Sequence, residues 1–346
     1  MTMPRSRLVD LTVTRYYHCI SRCVRRAFLC GEGFEHRKAW IEQRLEHLAR
    51  QFAIAVGGYA VMDNHLHLLL RVDPDVAPQW SEEEVVRRWL AVYPPPRLKL
   101  DDPAQVQVWI EQQLADPPKV QRWRKRLTEL GWFMKALKEP LARMANKEEG
   151  CKGTFWEGRF KSIAVLDEEA LLATCAYIDL NPVAAGLAAT PEQSPYTSLR
   201  QRLKHARRQG QLGALSAAAK GSVAGSRALG ALEESHWLCP LEDRRRQGGV
   251  REGMFESCSL GSYLLLVDYS SRIWREGKAR VAPAVAGIFE RLGTSPEYWD
   301  ARLRQLLKRE RLLGNHFAAS RQRLQALAQQ KGVHHLDNTI RLSTVG

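Results

Sequence analysis

The residues able to carry chemistry in this sequence fall into two pairs. His65 and His67 stand one residue apart, and Tyr177 and Asn181 stand four apart. The histidines lie inside the run Met62-Asp63-Asn64-His65-Leu66-His67-Leu68-Leu69-Leu70. In a strand, residues i and i+2 share a face, so the two imidazoles project together while Leu66, Leu68 and Leu70 turn into a core. Two imidazoles side by side are half of a metal site. Two partly buried histidines satisfied by hydrogen bonds would explain the same pattern. On a helix, Tyr177 and Asn181 point to one side. Two imidazoles and a carboxamide oxygen leave open positions on a divalent ion such as Mg²⁺ or Mn²⁺. Such an ion stabilises the charge that builds during phosphoryl transfer. A tyrosine hydroxyl beside it could attack phosphorus, displacing a nucleotide 3′-hydroxyl and leaving a 5′-phosphotyrosine. That step conserves the bond energy, so it can rejoin a different end: strand transfer rather than hydrolysis.

The elements that must position these residues can be read along the chain. Thr12 to Ser21 is rich in β-branched and aromatic residues and predicts a first strand. It runs into Arg22, Arg25 and Arg26, a cluster that fits either DNA phosphates or plain solvation. Phe34 to Phe52 has helical spacing. Ala53 to Met62 predicts a second strand, and Asp63-Asn64 supplies the turn before the histidine strand. Residues 73–130 break this rhythm and read as an insertion with two helices, near Ser81 to Val92 and Pro103 to Leu114. Ser81 followed by Glu84 is a capping-box pattern. Leu130 to Asn146 resumes as a helix that Pro140 should kink or interrupt. Phe155 to Leu166 predicts a fourth strand, in which Trp156, Arg159 and Lys161 could stack on and neutralise a single strand, or simply pack with snorkelling cations. The expected class is α+β, with a ferredoxin-like β-α-β-β-α-β core, helices on one sheet face and the other face free for a site.

Asp167 opens a further helix whose apolar stripe is Leu171, Leu172, Cys175 and Ile178. Tyr177 is offset from that stripe, on a second one with Ala170, Thr174 and Asn181. Pro182 should end the helix at Asn181. Gln193 to Leu232 holds seven Lys or Arg and no acid, and with its Gly, Ser and Ala content predicts a basic flexible linker over 191–232. The remainder, 233–346, reads as a mostly α-helical C-terminal domain. Its clearest helices are Ala282 to Leu292, Ser295 to Glu310 and Ser320 to Lys331, the middle one crowded with Arg302, Arg304, Lys308, Arg309 and Arg311.

Composition narrows the partners. The 346 residues carry a formal net charge of +14, which favours a polyanion, with nucleic acid first and an acidic membrane surface second. No apolar run reaches the ~18 residues that a membrane span needs, and no apolar stretch follows the N-terminal arginines as in a signal peptide. The seven cysteines are scattered without a C-x-x-C pair, which argues against a disulfide framework or zinc knuckle and fits a reducing cytoplasm.

Taken together, these motifs resemble the single-tyrosine HUH transposases, and more narrowly the REP-associated tyrosine transposases. The histidine–hydrophobe–histidine motif matches Asn64-His65-Leu66-His67. The tyrosine-helix motif matches Tyr177 to Leu187, the Gly-Trp-Arg-Lys strand motif matches Gly153 to Ser162, and the opening strand matches Tyr17-His18 with Arg22. The resemblance covers about Val13 to Leu187, with 73–130 poorly matched, and departs where Cys23-Val24 stands in place of the family's Gly-Asn. It implies a catalytic domain over 1–190, with His65 and His67 as metal ligands, Tyr177 as nucleophile and Asn181 as third ligand. It further implies Mg²⁺ or Mn²⁺ as cofactor and single-stranded, hairpin-forming DNA as partner, and it leaves monomer and homodimer both open. The rival reading is a non-catalytic nucleic-acid-binding regulator on the same scaffold, since sheet-face aromatics can stack bases. A two-histidine phosphoesterase would need a second histidine motif in the core, and His334-His335 lies in the tail.

Overall fold

The computed structural model describes residues 8–273 and 279–281. The expected helices beyond residue 281, with Arg302, Arg304, Lys308, Arg309 and Arg311, lie outside the described residues. Strand β1 (Tyr16–Arg22), helix α1 (Glu35–Gln51) and strands β2 (Ile54–Val61) and β3 (His65–Val72) follow in the expected order. After the insertion come α5 (Leu130–Glu148) and strand β4 (Lys161–Val165). The four strands form one antiparallel sheet in the order β2-β3-β1-β4. The class is α+β.

Strand alternation divides the chemistry from the core. Leu66, Leu68 and Leu70 join Tyr17 and Cys19 on one face, packed under Ile41, Leu45 and Leu48 of α1 and Phe133, Leu137 and Leu141 of α5. Each such side chain, fully buried, contributes roughly 1.5–3 kcal/mol. The other face carries His65, His67, Leu69 and Arg71, with Arg22 opposite His65 and Ile20 opposite His67. This face is not free, as the sequence reading expected. Helix α6 (Glu168–Ala184) lies on it, and Leu69, Ala60 and Met62 share a second core with Leu171, Cys175 and Ile178 and with Leu203, Tyr263 and Leu264 further on.

Three further expectations are corrected. Pro140 sits inside α5 without ending it. Its missing N–H would have bonded the Ala136 carbonyl, which instead accepts from Arg44 Nε at 3.3 Å. Pro182 likewise lies inside α6, which runs on to Ala184. The stop is Gly186, at φ +73°, where the Gly186 amide donates to Val183 O at 2.9 Å and the Leu187 amide to Pro182 O at 2.8 Å. The stretch expected as a flexible linker is helical: α7 (Ser198–Arg208), α8 (Leu212–Ala219) and α9 (Val223–Glu234) fill it. Its small residues serve close packing, since a Cβ on Gly225 would come within 2.8 Å of Ala217 Cβ. A tenth helix among the described residues, α10 (Leu260–Ile273), packs on α6 and α8.

The insertion holds three helices rather than two: α2 (Glu82–Val92), α3 (Pro103–Leu114) and α4 (Pro117–Arg126). Ser81 caps α2 by accepting from the Glu84 amide at 3.1 Å. Pro117-Pro118 reads as a break in sequence, yet proline in the first turn after a capping Asp116 is a helix start. No described helix is long and apolar enough to cross a membrane.

Arg202 of α7 ties the second core to the sheet edge. It pairs with Glu233 at 3.2 Å and donates to Gly57 O and Cys239 O at 3.1 and 2.7 Å. Beside it, burial and the Arg202 charge push His236 down to about 2, and its Nδ1 accepts from the Leu238 amide at 3.3 Å. The unfolded chain protonates this ring below its ordinary value of ~6.5 while the folded chain keeps it neutral. Stability from this group is therefore present above that value and lost as pH falls. Urea titrations between neutral and acid pH should show a shallower acid loss for His236→Gln than for the parent; identical slopes would contradict this.

Candidate active site

β3 and α6 converge where the histidines emerge from the sheet. The His65 and His67 rings lie 4.8 Å apart, and the Tyr177 ring stands edge-on to His67 at 5.5 Å between centroids. Asn181, one turn along α6, lies beside the His65 ring, and its Nδ2 donates to Tyr177 O at 3.3 Å. From Ala170 to Val183, every α6 residue is buried except Tyr177 and Asn181. The helix is thus wrapped by protein almost all round and opens to solvent only at the pair that faces the histidines.

The sequence reading missed a third histidine. His18 of β1 is buried, its Nε2 lies 2.9 Å from His67 Nδ1, and its ring lies 6.0 Å from Tyr177. The motif Tyr17-His18 was visible, but its neighbour was not. His18 pairs directly with Leu69, so its reach to His67 is a diagonal contact that only the β1–β3 register reveals.

Protonation states follow from the surroundings. Burial, then the nearby Arg22 charge, lowers His65 to about 4. Burial, with His18, His65 and Arg22 adding to it, holds His67 well below its ordinary value. Both imidazoles are neutral at pH 7, the form that ligates metals. Asn64 Nδ2 donates to Arg26 O at 3.2 Å, which turns Asn64 Oδ1 to His65 Nδ1 at 2.6 Å. That oxygen can only accept, so Nδ1 carries the ring proton and the other nitrogen keeps its lone pair. No group of three His, Cys, Asp or Glu side chains gathers at metal-holding spacing among the described residues. Any third donor would be of another type, and the Asn181 carboxamide stands beside the same ring. Two neutral imidazoles and an amide oxygen fit a hard divalent ion that keeps several waters.

The other expected residues divide. Arg22 is half-buried at the end of β1, opposite His65. Arg25 and Arg26 are exposed in the turn that packs on Asp63-Asn64, through Cys23 N–H to Asn64 O and Cys30 N–H to Asp63 O, both 2.8 Å. Both adopt left-handed conformations, at φ 53° and 56°; such a position costs a non-glycine residue ~1–2 kcal/mol. Lys161 is exposed on β4, opposite Ile20, which is opposite His67, so it shares the histidine face two strands away. Arg159 is exposed just before it. Trp156 is not available for base stacking. It is 8% exposed, donates through Nε1 to Lys138 O at 3.1 Å and packs edge-on against Phe155. The expected strand is shorter here, and residues 155–160 run irregularly, joined to the end of β1 by the Glu157 amide donating to Arg22 O and just beyond it by the Val24 amide donating to Phe155 O, both 2.9 Å.

A second residue that sequence reasoning missed holds α6 in place. Asp179 is fully enclosed and accepts from Ser198 Oγ at 2.7 Å, the Leu199 amide at 2.9 Å and Tyr263 Oη at 2.6 Å. Burial pushes its carboxyl up, and the three donors oppose that. The signal in sequence was a lone acid within an apolar helix, two residues after Tyr177.

No protein-family model matches the chain, and no curated protein does. Among solved structures, the chain is similar to a REP-associated tyrosine transposase bound to a REP hairpin, with a TM-score of 0.32 and 12% identity over 55% of this chain and 78% of that one. An overlay this loose leaves the functional reading to the chemistry of the site.

Asp179→Ala strands three buried donors, each costing roughly 1–3 kcal/mol. The variant should lose at least ~3 kcal/mol of stability in urea denaturation; a loss under ~1 kcal/mol would contradict the anchoring role.

Proposed function

We propose that this chain is a metal-dependent, single-tyrosine HUH transposase of the REP-associated type. It cleaves and rejoins single-stranded, hairpin-forming DNA through Tyr177. The observation that carries the proposal is the convergence, within one chain, of Tyr177 and Asn181 on His65 and His67. The site needs no residue from a second copy. The strand order β2-β3-β1-β4, with α1 and α5 on one face, supports a ferredoxin-like core, and the motif resemblance supports the family.

His65, His67 and Asn181 would hold Mg²⁺ or Mn²⁺, which when bound polarises a phosphoryl oxygen. The chain's own residues do the rest. Tyr177 Oη forms a bond to phosphorus as the bond to the 3′-oxygen breaks. The phenolic proton is released, the 3′-oxygen gains one, and the 5′-phosphate stays on the tyrosine. Reversal with another 3′-hydroxyl rejoins the strand. Arg22, beside both histidines, adds positive charge where the phosphate must sit. Arg25, Arg26, Arg159 and Lys161 are exposed cations around that face, suited to phosphates on either side. Between Ala170 and Val183 only Tyr177 and Asn181 escape burial, which favours the catalytic reading over a regulator without chemistry.

Two outcomes test this. Tyr177→Phe should abolish the denaturation-resistant protein–DNA adduct on gels while hairpin binding persists; an undiminished adduct would sink the assignment. His65→Ala should lower cleavage by about 100-fold or more, and EDTA should do the same to the parent. Full cleavage in EDTA would rule out the metal.

A further inference from the structure

A groove of ≈ 320 Å³ lies between α5 and residues 156–160, away from the tyrosine. Trp156 and Phe160 give it an apolar floor, and Lys135, Lys138 and Arg159 line its rim. One carboxylate, Glu139, also lines it, paired with Arg143 from the next turn and, at 3.9 Å, with Lys135 of the rim. With Arg143, four cations stand against one acid, so the lining carries a net positive charge.

These cations are held in place. Lys138 Nζ donates to Gly158 O at 3.0 Å and stands 5.1 Å over the Trp156 ring. Lys135 stands 4.8 Å over Trp132, and Arg126 of α4 stands 4.3 Å over that same ring. The positive surface therefore continues by contact from the groove to α4, whose residues 117–126 hold five cations and no acid. On that helix Arg122 and Lys125 are exposed and make no ion pair among the described residues. At the other end of the groove, Arg159 and Phe160 lead into Lys161, on the face that carries His67. Ordering these side chains before binding removes part of the entropic cost of association.

We infer that the groove and the α4 ridge bind the single-stranded DNA that flanks the bond cleaved at Tyr177. The inference rests on the DNA-cleaving reading of the site. A cationic rim beside apolar side chains such as Ala142 suits a strand whose phosphates meet the rim and whose unpaired bases lie on apolar surface, without stacking on the buried Trp156 ring. A duplex arm would present phosphates and leave the floor unused. Trp132 to Lys138 spans about 9 Å of helix at ~1.5 Å per residue, enough for a short stretch of strand to lie along it. The insertion that carries α4 is then a strand guide rather than a spacer.

The test compares hairpin oligonucleotides with and without a single-stranded flank, by fluorescence anisotropy, on the Tyr177→Phe background so that no covalent capture intervenes. Lys135→Glu with Arg159→Glu should weaken the flanked oligonucleotide at least tenfold. It should also make the salt dependence shallower by about 1.4, at ~0.7 for each lost phosphate contact on a single strand. The hairpin without a flank should change less than twofold. Arg122→Glu with Lys125→Glu, on a different helix, should show the same selectivity, and matching melting curves check that each variant folds. Equal losses on both oligonucleotides, or none on the flanked one, would overturn the inference. Adduct formation by the unsubstituted protein is scored separately. An intact adduct with unselective variants overturns the groove and spares Tyr177, whereas selective variants with no adduct overturn Tyr177 and spare the groove.

Discussion

Asp179 is the buried carboxylate through which helix α6 is held over the sheet. Its partners come from two other helices, Ser198 and Leu199 at the start of α7 and Tyr263 in α10. Tyr177 lies two residues away, on the other side of the helix. A carboxylate enclosed by protein is stable only while its donors are in place, so the position of the tyrosine depends on helices more than twenty residues further along the chain. The helical region after residue 190 belongs, in this sense, to the geometry of the site.

The histidine side obeys the same logic with weaker bonds. Strand alternation brings His65 and His67 to one face, and burial keeps both rings in the neutral form with a single N–H. Neighbours then occupy one nitrogen of each ring: Asn64 for His65 and His18 for His67. In metal sites such partners orient the ligand and set which nitrogen is available. The sheet thus offers two neutral imidazoles, while α6 brings a carboxamide and a phenol beside them. Arg25 and Arg26, in costly left-handed conformations at the rim, fit a turn shaped by function rather than by stability.

Much of this was legible in the residues. Period-two alternation around His65 and His67 gave the site face, and Asp167 marked the start of α6, its side chain accepting from the Ala170 amide at 2.7 Å. What the sequence hid was hidden for physical reasons. Pro140 fails to break α5 because Arg44, remote in sequence, serves the orphaned carbonyl, whereas past Pro182 the local stop that prevails is the left-handed Gly186. The Gly- and Ala-rich stretch before residue 232 has the composition of a linker, yet the same small residues permit close helix packing. Trp156 belongs to a motif that suggested base stacking, and its burial against Lys138 became visible only with α5 in place. His18 and Asp179 needed a register and a tertiary contact, neither of which a single sequence encodes locally.

The central claim is that the hydroxyl of Tyr177 takes up a DNA 5′-phosphate. Incubating the full chain with single-stranded hairpin DNA and Mn²⁺, digesting both polymers and sequencing the nucleotide-bearing peptide by mass spectrometry tests it most directly. The account predicts a single modified peptide carrying a phosphodiester on Tyr177. A nucleotide found on another side chain, or cleaved DNA with no modified peptide, would contradict it.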